Sequence, residues 1–241
     1  MIDNLKLLAG DDVVINKKIC LRHPTLREIK DLGESEYYGL ISTLCATPSD
    51  YKSILFDEFN IDYEELGEFE FFTSLFHSLD DTDISIILPG IIVENFKLAY
   101  DNEDQEICLL DEQNDISINE ATYIELVDYL RKFHGFEKHT DKAGNATTKK
   151  YLIDRARKEL KRRKKKEVSV LAPLVSSMVN CEQFKYDHKT VWDLNIYQFM
   201  DSVKRIQKIK SADKILQGIY TGNVDSKKIS RETYNWIGTL D

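Results

Sequence analysis

A short basic stretch is the part of the chain best suited to bind phosphate or carboxylate groups. Residues 158–167 read Lys-Glu-Leu-Lys-Arg-Arg-Lys-Lys-Lys-Glu, so seven of the ten positions are basic. Such a run can bind nucleic-acid phosphates, dock on an acidic protein surface, or form the solvated end of a helix. Because no aromatic residue for base stacking interrupts it and the chain has a net charge of -9, the sequence argues against nucleic acid.

A second group of residues has a loosely metal-like spacing. His134 and His139 are five positions apart and lie near Asp141, but no further ligand follows at a spacing typical of zinc sites. The sequence also contains no GxSxG, HExxH, Walker A or GxGxxG motif. We therefore expect no catalytic, cofactor-binding or metal-binding residues, and a protein that is not an enzyme.

The basic stretch belongs to a predicted helix over residues 147–167. Apolar residues occur in its first half, at Tyr151, Leu152, Ile153, Ala156 and Leu160, and none lies between Lys161 and Lys166. The first half is therefore expected to dock on a core, and the second half to project into solvent.

Two segments have the alternating pattern and polar turn of a β-hairpin. One surrounds Asn16-Lys17-Lys18, and the other joins Phe96–Tyr100 to Glu106–Leu110 across an acidic turn. Most other segments have helical periodicity. The predicted helices begin after Thr25 and after Thr47 and cover residues 64–79, about 118–135, 147–167, 169–179, 192–209, 213–220 and 226–236, whereas residues 84–90 fit a strand or a turn. We predict an α+β fold that is mainly α-helical, with a small N-terminal β-hairpin or antiparallel sheet.

Local signals support two of the helix starts. Thr25 followed three residues later by Glu28 is a capping box. Thr47 is a suitable N-cap, Pro48 fits the first helical position, and Asp50 suits the positive end of the helix dipole. A phenylalanine cluster within residues 64–79 is expected to be core, and it consists of Phe69, Phe71, Phe72 and Phe76.

Charge divides the chain into an acidic α+β region, residues 1–140, and a basic helical region, residues 141–241. The first has 11 Lys and Arg against 30 Asp and Glu, and the second has 22 against 12. The two could form one continuous domain in which the charges face each other, present two faces to partners, or attract copies of the chain head to tail.

No apolar run approaches the roughly 18–20 residues that span a bilayer, and the N-terminus has no signal-peptide pattern. The four cysteines are scattered, as expected for free thiols in a reducing compartment. The sequence therefore predicts no membrane partner and a location in the cytoplasm.

Three segments together resemble a family of proteins from tailed phages and prophages of Gram-positive bacteria. They are Leu-Arg-His-Pro-Thr-Leu-Arg-Glu-Ile at 21–29, Tyr-Gly-Leu-Ile-Ser-Thr-Leu-Cys-Ala-Thr-Pro-Ser-Asp-Tyr at 38–51, and residues 171–180 continuing to 191–206. The family is associated with tail morphogenesis, most often as tail-assembly-chaperone-like proteins.

The resemblance implies a non-enzymatic phage tail morphogenesis factor in the host bacterial cytoplasm. Its expected partner is the phage tape-measure protein or the tail-tube protein. Apolar and aromatic residues are favoured at interfaces, and basic residues can contact acidic surfaces. The candidate partner-binding residues are Leu171, Leu174, Met178, Trp192, Tyr197, Phe199, Lys161, Arg162, Arg163 and Lys164.

Several alternatives remain open from the sequence. The apolar segments 169–180 and 192–199 could be ordinary core. The protein could be a structural component of the tail or baseplate, located in the virion, or it could associate with itself. Binding of nucleic acid through Lys158 and the basic residues up to Lys166 is the third functional hypothesis.

Overall fold

The computed structural model describes residues 4–101, 106–163 and 169–240, and most of these residues are helical. The helices are α1 Asn4–Ala9, α2 Leu26–Leu32, α3 Glu34–Leu44, α4 Lys52–Phe59, α5 Glu68–Phe76, α6 Asp81–Ile84, α7 Glu120–His134, α8 Ala146–Arg163, α9 Leu171–Val179, α10 Ile196–Tyr220 and α11 Arg231–Tyr234. The strands are β1 Val13–Val14, β2 Cys20–Leu21, β3 Lys97–Asp101, β4 Glu106–Asp111 and β5 Ile116–Ile118. Short 3-10 helices cover Val93–Asn95, Val191–Asp193 and Ser226–Lys228. The predicted α+β class with mainly helical content is confirmed.

The N-terminal hairpin has the predicted turn. β1 pairs antiparallel with β2, and Val13 lies opposite Leu21. The Asn16 side chain accepts hydrogen bonds from the backbone N–H groups of Lys18 and Ile19, at 2.9 and 2.8 Å. An asparagine side chain that bonds to the backbone just ahead of it stabilises a tight reversal of the chain. The hairpin is therefore set by local chemistry.

The second hairpin is also confirmed, and it extends into a third strand. β3, β4 and β5 form one antiparallel sheet in that order, with Leu98 opposite Leu109 and Leu109 opposite Ile118. The tip of the predicted acidic turn, residues 102–105, lies outside the described residues. The Asp111 carboxylate organises the turn from β4 to β5, because it accepts from the backbone N–H groups of Gln113 and Asn114.

The capping box at the start of α2 is present. The Thr25 hydroxyl accepts from the Glu28 backbone N–H, and the Glu28 carboxylate accepts from the Thr25 backbone N–H at 2.8 Å. The same segment pairs with the start of α10 far along the chain. Thr25 and Asn195 form an isolated antiparallel bridge, and Asn195 is itself the N-cap of α10. Two helices therefore start side by side from one short piece of backbone pairing.

A single large apolar cluster lies at the centre of the fold. It contains residues from both sides of position 140, from Leu7 in α1 to Ile206 in α10. The predicted phenylalanine core is confirmed, since Phe69, Phe72 and Phe76 are buried in this cluster, while Phe71 is buried in a smaller one. Among the described residues, no helix combines the length and the apolar composition needed to cross a membrane.

Several predicted helix bounds were wrong. α10 runs without a break from Ile196 to Tyr220, although the sequence suggested two helices separated near residues 210–212. That stretch contains no glycine or proline, and Ala212 is fully buried, so the polar residues around it occupy the solvent side of one continuous helix. The predicted helix at 226–236 is a 3-10 turn followed by the four-residue α11.

The helix predicted after Thr47 starts later than expected. Thr47 and Asp50 do bond to each other, since the Asp50 carboxylate accepts from the Thr47 hydroxyl at 2.9 Å, but they close only a turn. α4 begins at Lys52. Residues 84–90, for which a strand or a turn was predicted, form the end of α6 and the turns after it.

Candidate interaction surface

The first half of α8 docks as predicted. Ile153 is buried in the smaller apolar cluster together with Leu55 of α4, Tyr63 and Phe71 of α5. α8 packs against α4. The apolar residues in the first turns of α8 therefore fix the helix against the acidic region of the chain.

Ion pairs add to this contact between the basic and acidic regions. Arg157 pairs with Asp57 of α4, with Nε 2.8 Å from the Asp57 carboxylate. Lys149 contacts two carboxylates, those of Asp62 at 2.5 Å and Glu64 at 2.6 Å. The hydrogen bonds that Lys149 donates to the Asp62 and Glu64 carboxylates raise its pKa above the ordinary value. The basic helix therefore meets an acidic surface within its own chain.

The predicted basic residues lie in the C-terminal part of α8 and directly after it. Lys158, Lys161 and Arg162 are exposed to solvent, as expected for the end of a helix that leaves the core. Arg163 is the last residue of α8, and its side chain lies outside the described part of the structure. Lys164 lies outside the described residues altogether.

An apolar groove lies between α2 and α9. Its volume is about 210 Å³, and it is open to solvent. The apolar side chains that line it are Leu26, Ile29, Leu171, Ala172, Val175 and Trp192. Small-molecule sites are usually about 300–1,000 Å³, so this groove is better sized for single anchoring side chains of a protein partner.

Polar residues complete the rim of the groove. Glu34 holds the start of α9, because its carboxylate accepts from the backbone N–H groups of Val170 and Leu171, at 2.6 and 2.9 Å, and from the Ser169 hydroxyl. Burial raises the pKa of Glu34, but these hydrogen bonds outweigh it and leave the pKa below its ordinary value. Glu34 therefore remains a carboxylate at neutral pH.

Trp192 forms one wall of the groove and is only partly buried. Its indole N–H donates to the backbone carbonyl of His188 at 2.9 Å, which orients the ring. Lys30 Nζ lies 5.9 Å from the ring centre, within the range of a cation–π contact. A fixed, partly exposed tryptophan beside apolar side chains has the composition of an interface hot spot.

The ten predicted partner-binding residues do not form one surface. Leu171 and Trp192 line the same groove, whereas Tyr197 lines a different cavity, near His134. Met178 and Phe199 are buried in the main core, and Leu174 is partly buried against it. Part of residues 169–180 and part of residues 192–199 are therefore core, as the alternative hypothesis predicted.

Sequence reasoning missed the opposite wall of the groove. Leu26, Ile29 and Lys30 of α2 line it, and the sequence indicated only that Leu26 and Ile29 belong to an amphipathic helix. No local signal pairs α2 with α9. The capping and turn patterns that locate each helix do not indicate which helices pack together.

The loosely metal-like pair of histidines is not brought together as a site. Both ring nitrogens of His134 have hydrogen-bond contacts, from Nε2 to the Tyr37 hydroxyl at 2.6 Å and from Nδ1 to the Leu130 carbonyl oxygen at 2.7 Å. Asp141 forms an ion pair with Lys52. In residues 4–101, 106–163 and 169–240, no group of three or more His, Cys, Asp or Glu side chains has the geometry to hold a metal ion.

One comparison with known proteins gives a match. Residues 163–241 match the sequence model of the YomV second domain, a phage-associated family named after YomV of a Bacillus prophage. No curated protein and no solved structure matches the chain. The matched segment includes α9, Trp192 and α10, and so it provides one wall of the groove. The last third of the chain is therefore similar to a phage-associated domain.

Proposed function

We propose that the protein is a non-enzymatic phage tail morphogenesis factor that shields an amphipathic helix of the tape-measure protein, or assists assembly of the tail tube. The observation that carries this proposal is the open apolar groove between α2 and α9. The phage-associated similarity of residues 163–241, which supply one wall of that groove, supports the same context.

The groove suits a helical ligand for a physical reason. An amphipathic helix places apolar side chains at every third or fourth residue along one face, and these can enter a groove between two helices. Each large apolar side chain that is fully buried contributes about 1.5–3 kcal/mol. A tape-measure protein has long apolar stripes that must be covered until tube subunits polymerise around it, and a groove of this kind can cover one stretch of such a stripe.

The location of the protein follows from this role. A chaperone acts in the cytoplasm of the host bacterium and is absent from the finished virion. The alternative is a structural protein of the tail or baseplate, which remains in the particle. Mass spectrometry of purified virions distinguishes these two roles, because only the structural protein is recovered in amounts comparable with other tail components.

Co-purification from infected or induced cells tests the proposal directly. The tagged chain is expected to recover the tape-measure or tail-tube protein. In the variant Ala172→Arg a long charged side chain replaces an exposed groove residue, and this change is expected to abolish recovery. Ser177→Arg is the matched control, since Ser177 is exposed on the same helix but does not line the groove.

Two outcomes would contradict the proposal. One is that neither tail protein is recovered while the chain is found in purified virions, which supports the structural alternative. The other is equal recovery by Ala172→Arg and Ser177→Arg, which shows that the groove is not the binding surface. Circular dichroism on both variants establishes that they are folded.

A further inference from the structure

The outer edge of the β3–β4–β5 sheet is an unusual surface of the molecule. β3 is the first strand of this sheet and pairs only with β4 among the described strands. An edge strand presents unpaired backbone N–H and C=O groups that can pair with another strand. Proteins commonly block such edges with proline, a bulge or several charges, and β3 has the sequence Lys-Leu-Ala-Tyr-Asp, with charges only at its ends.

Exposed apolar side chains lie along this edge. Leu98 is 61% exposed and Tyr100 is 58% exposed, and Ile107 on the neighbouring strand is 49% exposed. Tyr100 lies opposite Ile107, so these side chains share one face of the sheet with Leu98. Exposed apolar residues that form a contiguous group, rather than occurring singly, indicate an interaction site.

The same face is covered further into the sheet. Leu109, which lies opposite Leu98, is fully buried in the main core, as is Ile118 of β5. The apolar face therefore continues from the core outward to β3, where the side chains of Leu98 and Tyr100 are exposed to solvent. One more strand, paired with the outer edge of β3, would extend this face and bury Leu98 and Tyr100.

We propose that β3 pairs antiparallel with β3 of a second copy of the chain, about a twofold axis located beside Ala99, the central residue of the strand. In this register Ala99 lies opposite itself, and Leu98 of each copy lies opposite Tyr100 of the other. The two three-stranded sheets then form one continuous sheet. The contact is isologous and closes at two copies, as the symmetry of most homodimers requires.

The sequence of β3 is what selects a second copy as the occupant. Read about Ala99, an apolar residue is opposite an apolar residue, and Lys97 is opposite Asp101, a residue of the opposite charge. Cross-strand pairs of these kinds are stabilising, whereas like charges opposite each other are not. The strand is therefore complementary to itself in one antiparallel register.

A shift of the register by one residue removes this complementarity. Leu98 would then lie opposite Ala99, and Lys97 opposite Tyr100. Paired residues share a face, so the apolar faces of the two sheets would also point to opposite sides. Compared with registers shifted by one residue, the register centred on Ala99 is the one that places Leu98, Tyr100 and Ile107 of both copies on one side of the joined sheet.

Disulfide trapping tests this register. Directly opposed residues in an antiparallel pair have Cα atoms about 4.5–5.5 Å apart, a separation that a disulfide can bridge. Ala99→Cys is made in a Cys108→Ala background, because Cys108 lies opposite Ala99 within the same chain and would compete. Under mild oxidation we expect a covalent dimer of the full chain.

Lys97→Cys in the same background is the matched control. In the proposed register its two copies are four residues out of alignment, too far apart for a disulfide, while Leu98 and Tyr100 remain in place. The Cys108→Ala chain alone gives the background from Cys20 and Cys181, which are partly exposed. Cross-linking of Ala99→Cys at or below the level of Lys97→Cys would overturn the register.

Sedimentation analysis tests the dimer without added cysteines. The native chain is expected to show a reversible monomer–dimer equilibrium, and Leu98→Ser with Tyr100→Ser to raise its dissociation constant by more than about tenfold. Tyr220→Ser is the control, since Tyr220 is highly exposed at the end of α10. A monomer at all concentrations, or a dimer that the double substitution leaves unchanged, would overturn the proposal.

Discussion

Tyr37 and His134 are joined by a hydrogen bond of 2.6 Å between the tyrosine hydroxyl and Nε2, which links α3 to the end of α7. His134 Nδ1 lies 2.7 Å from the carbonyl oxygen of Leu130, and a carbonyl can only accept, so Nδ1 carries the proton. Nε2 then accepts from the Tyr37 hydroxyl. This arrangement fixes one tautomer of a neutral imidazole.

The neutrality of His134 predicts a dependence of stability on pH. Burial lowers the pKa of His134 to about 4, whereas the unfolded chain has an ordinary value of 6.5. As the pH falls below 6.5 the unfolded chain binds a proton that the folded chain does not. The stabilisation is therefore complete above pH 6.5 and is lost progressively down to about pH 4. We expect this change in His134 to lower the free energy of unfolding by about 2 kcal/mol between pH 7 and pH 5.

Urea unfolding at pH 7 and pH 5 measures this loss. His134→Gln is expected to reduce the difference between the two pH values, whatever its effect on stability at pH 7. His139→Gln is the control, since His139 is exposed, and it should leave the difference unchanged. A native chain equally stable at both pH values would contradict the assignment of His134 as a partly buried group that stays neutral.

A second prediction concerns Phe72 in the main core. Phe72 is only 2% exposed and packs against Phe76 and Tyr123, with ring centres 5.6 and 4.7 Å away. Removing a buried phenyl ring costs its transfer free energy and leaves a cavity. Phe72→Ala is therefore expected to lower the free energy of unfolding by about 3–5 kcal/mol, as measured by chemical denaturation.

Phe59→Ala is the matched control for Phe72. Phe59 is 62% exposed at the end of α4, so truncating it should change the free energy of unfolding by less than about 0.5 kcal/mol. Similar losses for the two variants would mean that Phe72 is not a core residue.

The features that the sequence predicted correctly are those with a local cause. The capping box of Thr25 and Glu28 needs only four residues, and the Asn16 turn needs even fewer. The phenylalanine core follows from helical periodicity. Each of these patterns is contained within one element, so its structural outcome does not depend on the rest of the chain.

The features that the sequence did not predict join distant segments. The bridge between Thr25 and Asn195 and the groove shared by Ile29 and Val175 depend on how helices pack, which no short pattern encodes. The continuity of α10 has the same origin, because burial of Ala212 outweighs a polar stretch that suggested a break. The candidate surface could therefore be predicted only in part.

A third prediction concerns the cap that starts α2. Thr25→Ala removes the side-chain acceptor for the Glu28 backbone N–H, which leaves that donor without its cap. The free energy of unfolding is expected to fall by about 1 kcal/mol, as measured by urea denaturation. Thr148→Ala is the control, since Thr148 is exposed within the first turn of α8 and is not an N-cap. An equal loss in both variants would exclude a capping role for Thr25.

A fourth prediction concerns nucleic acid and the basic end of α8. Arg157 is paired with Asp57 and Asp154, so part of the positive charge of this helix is neutralised within the chain. The acidic residue Glu159 lies between the exposed cations Lys158 and Lys161 in the sequence, and the protein as a whole is acidic. We expect duplex DNA and single-stranded RNA to bind with dissociation constants weaker than about 100 µM at physiological salt, the weak end of non-specific binding.

Fluorescence anisotropy over a range of salt concentrations measures this binding. One variant replaces the exposed cations Lys158, Lys161 and Arg162 with serine, and its control replaces Lys185, Lys189 and Lys227, which are exposed elsewhere. If the native chain binds in the micromolar range and only the α8 variant loses binding, the helix is a nucleic-acid surface and the prediction is wrong. Equal, weak binding by all three proteins is expected, because the cations of α8 pair with carboxylates of their own chain or contact solvent.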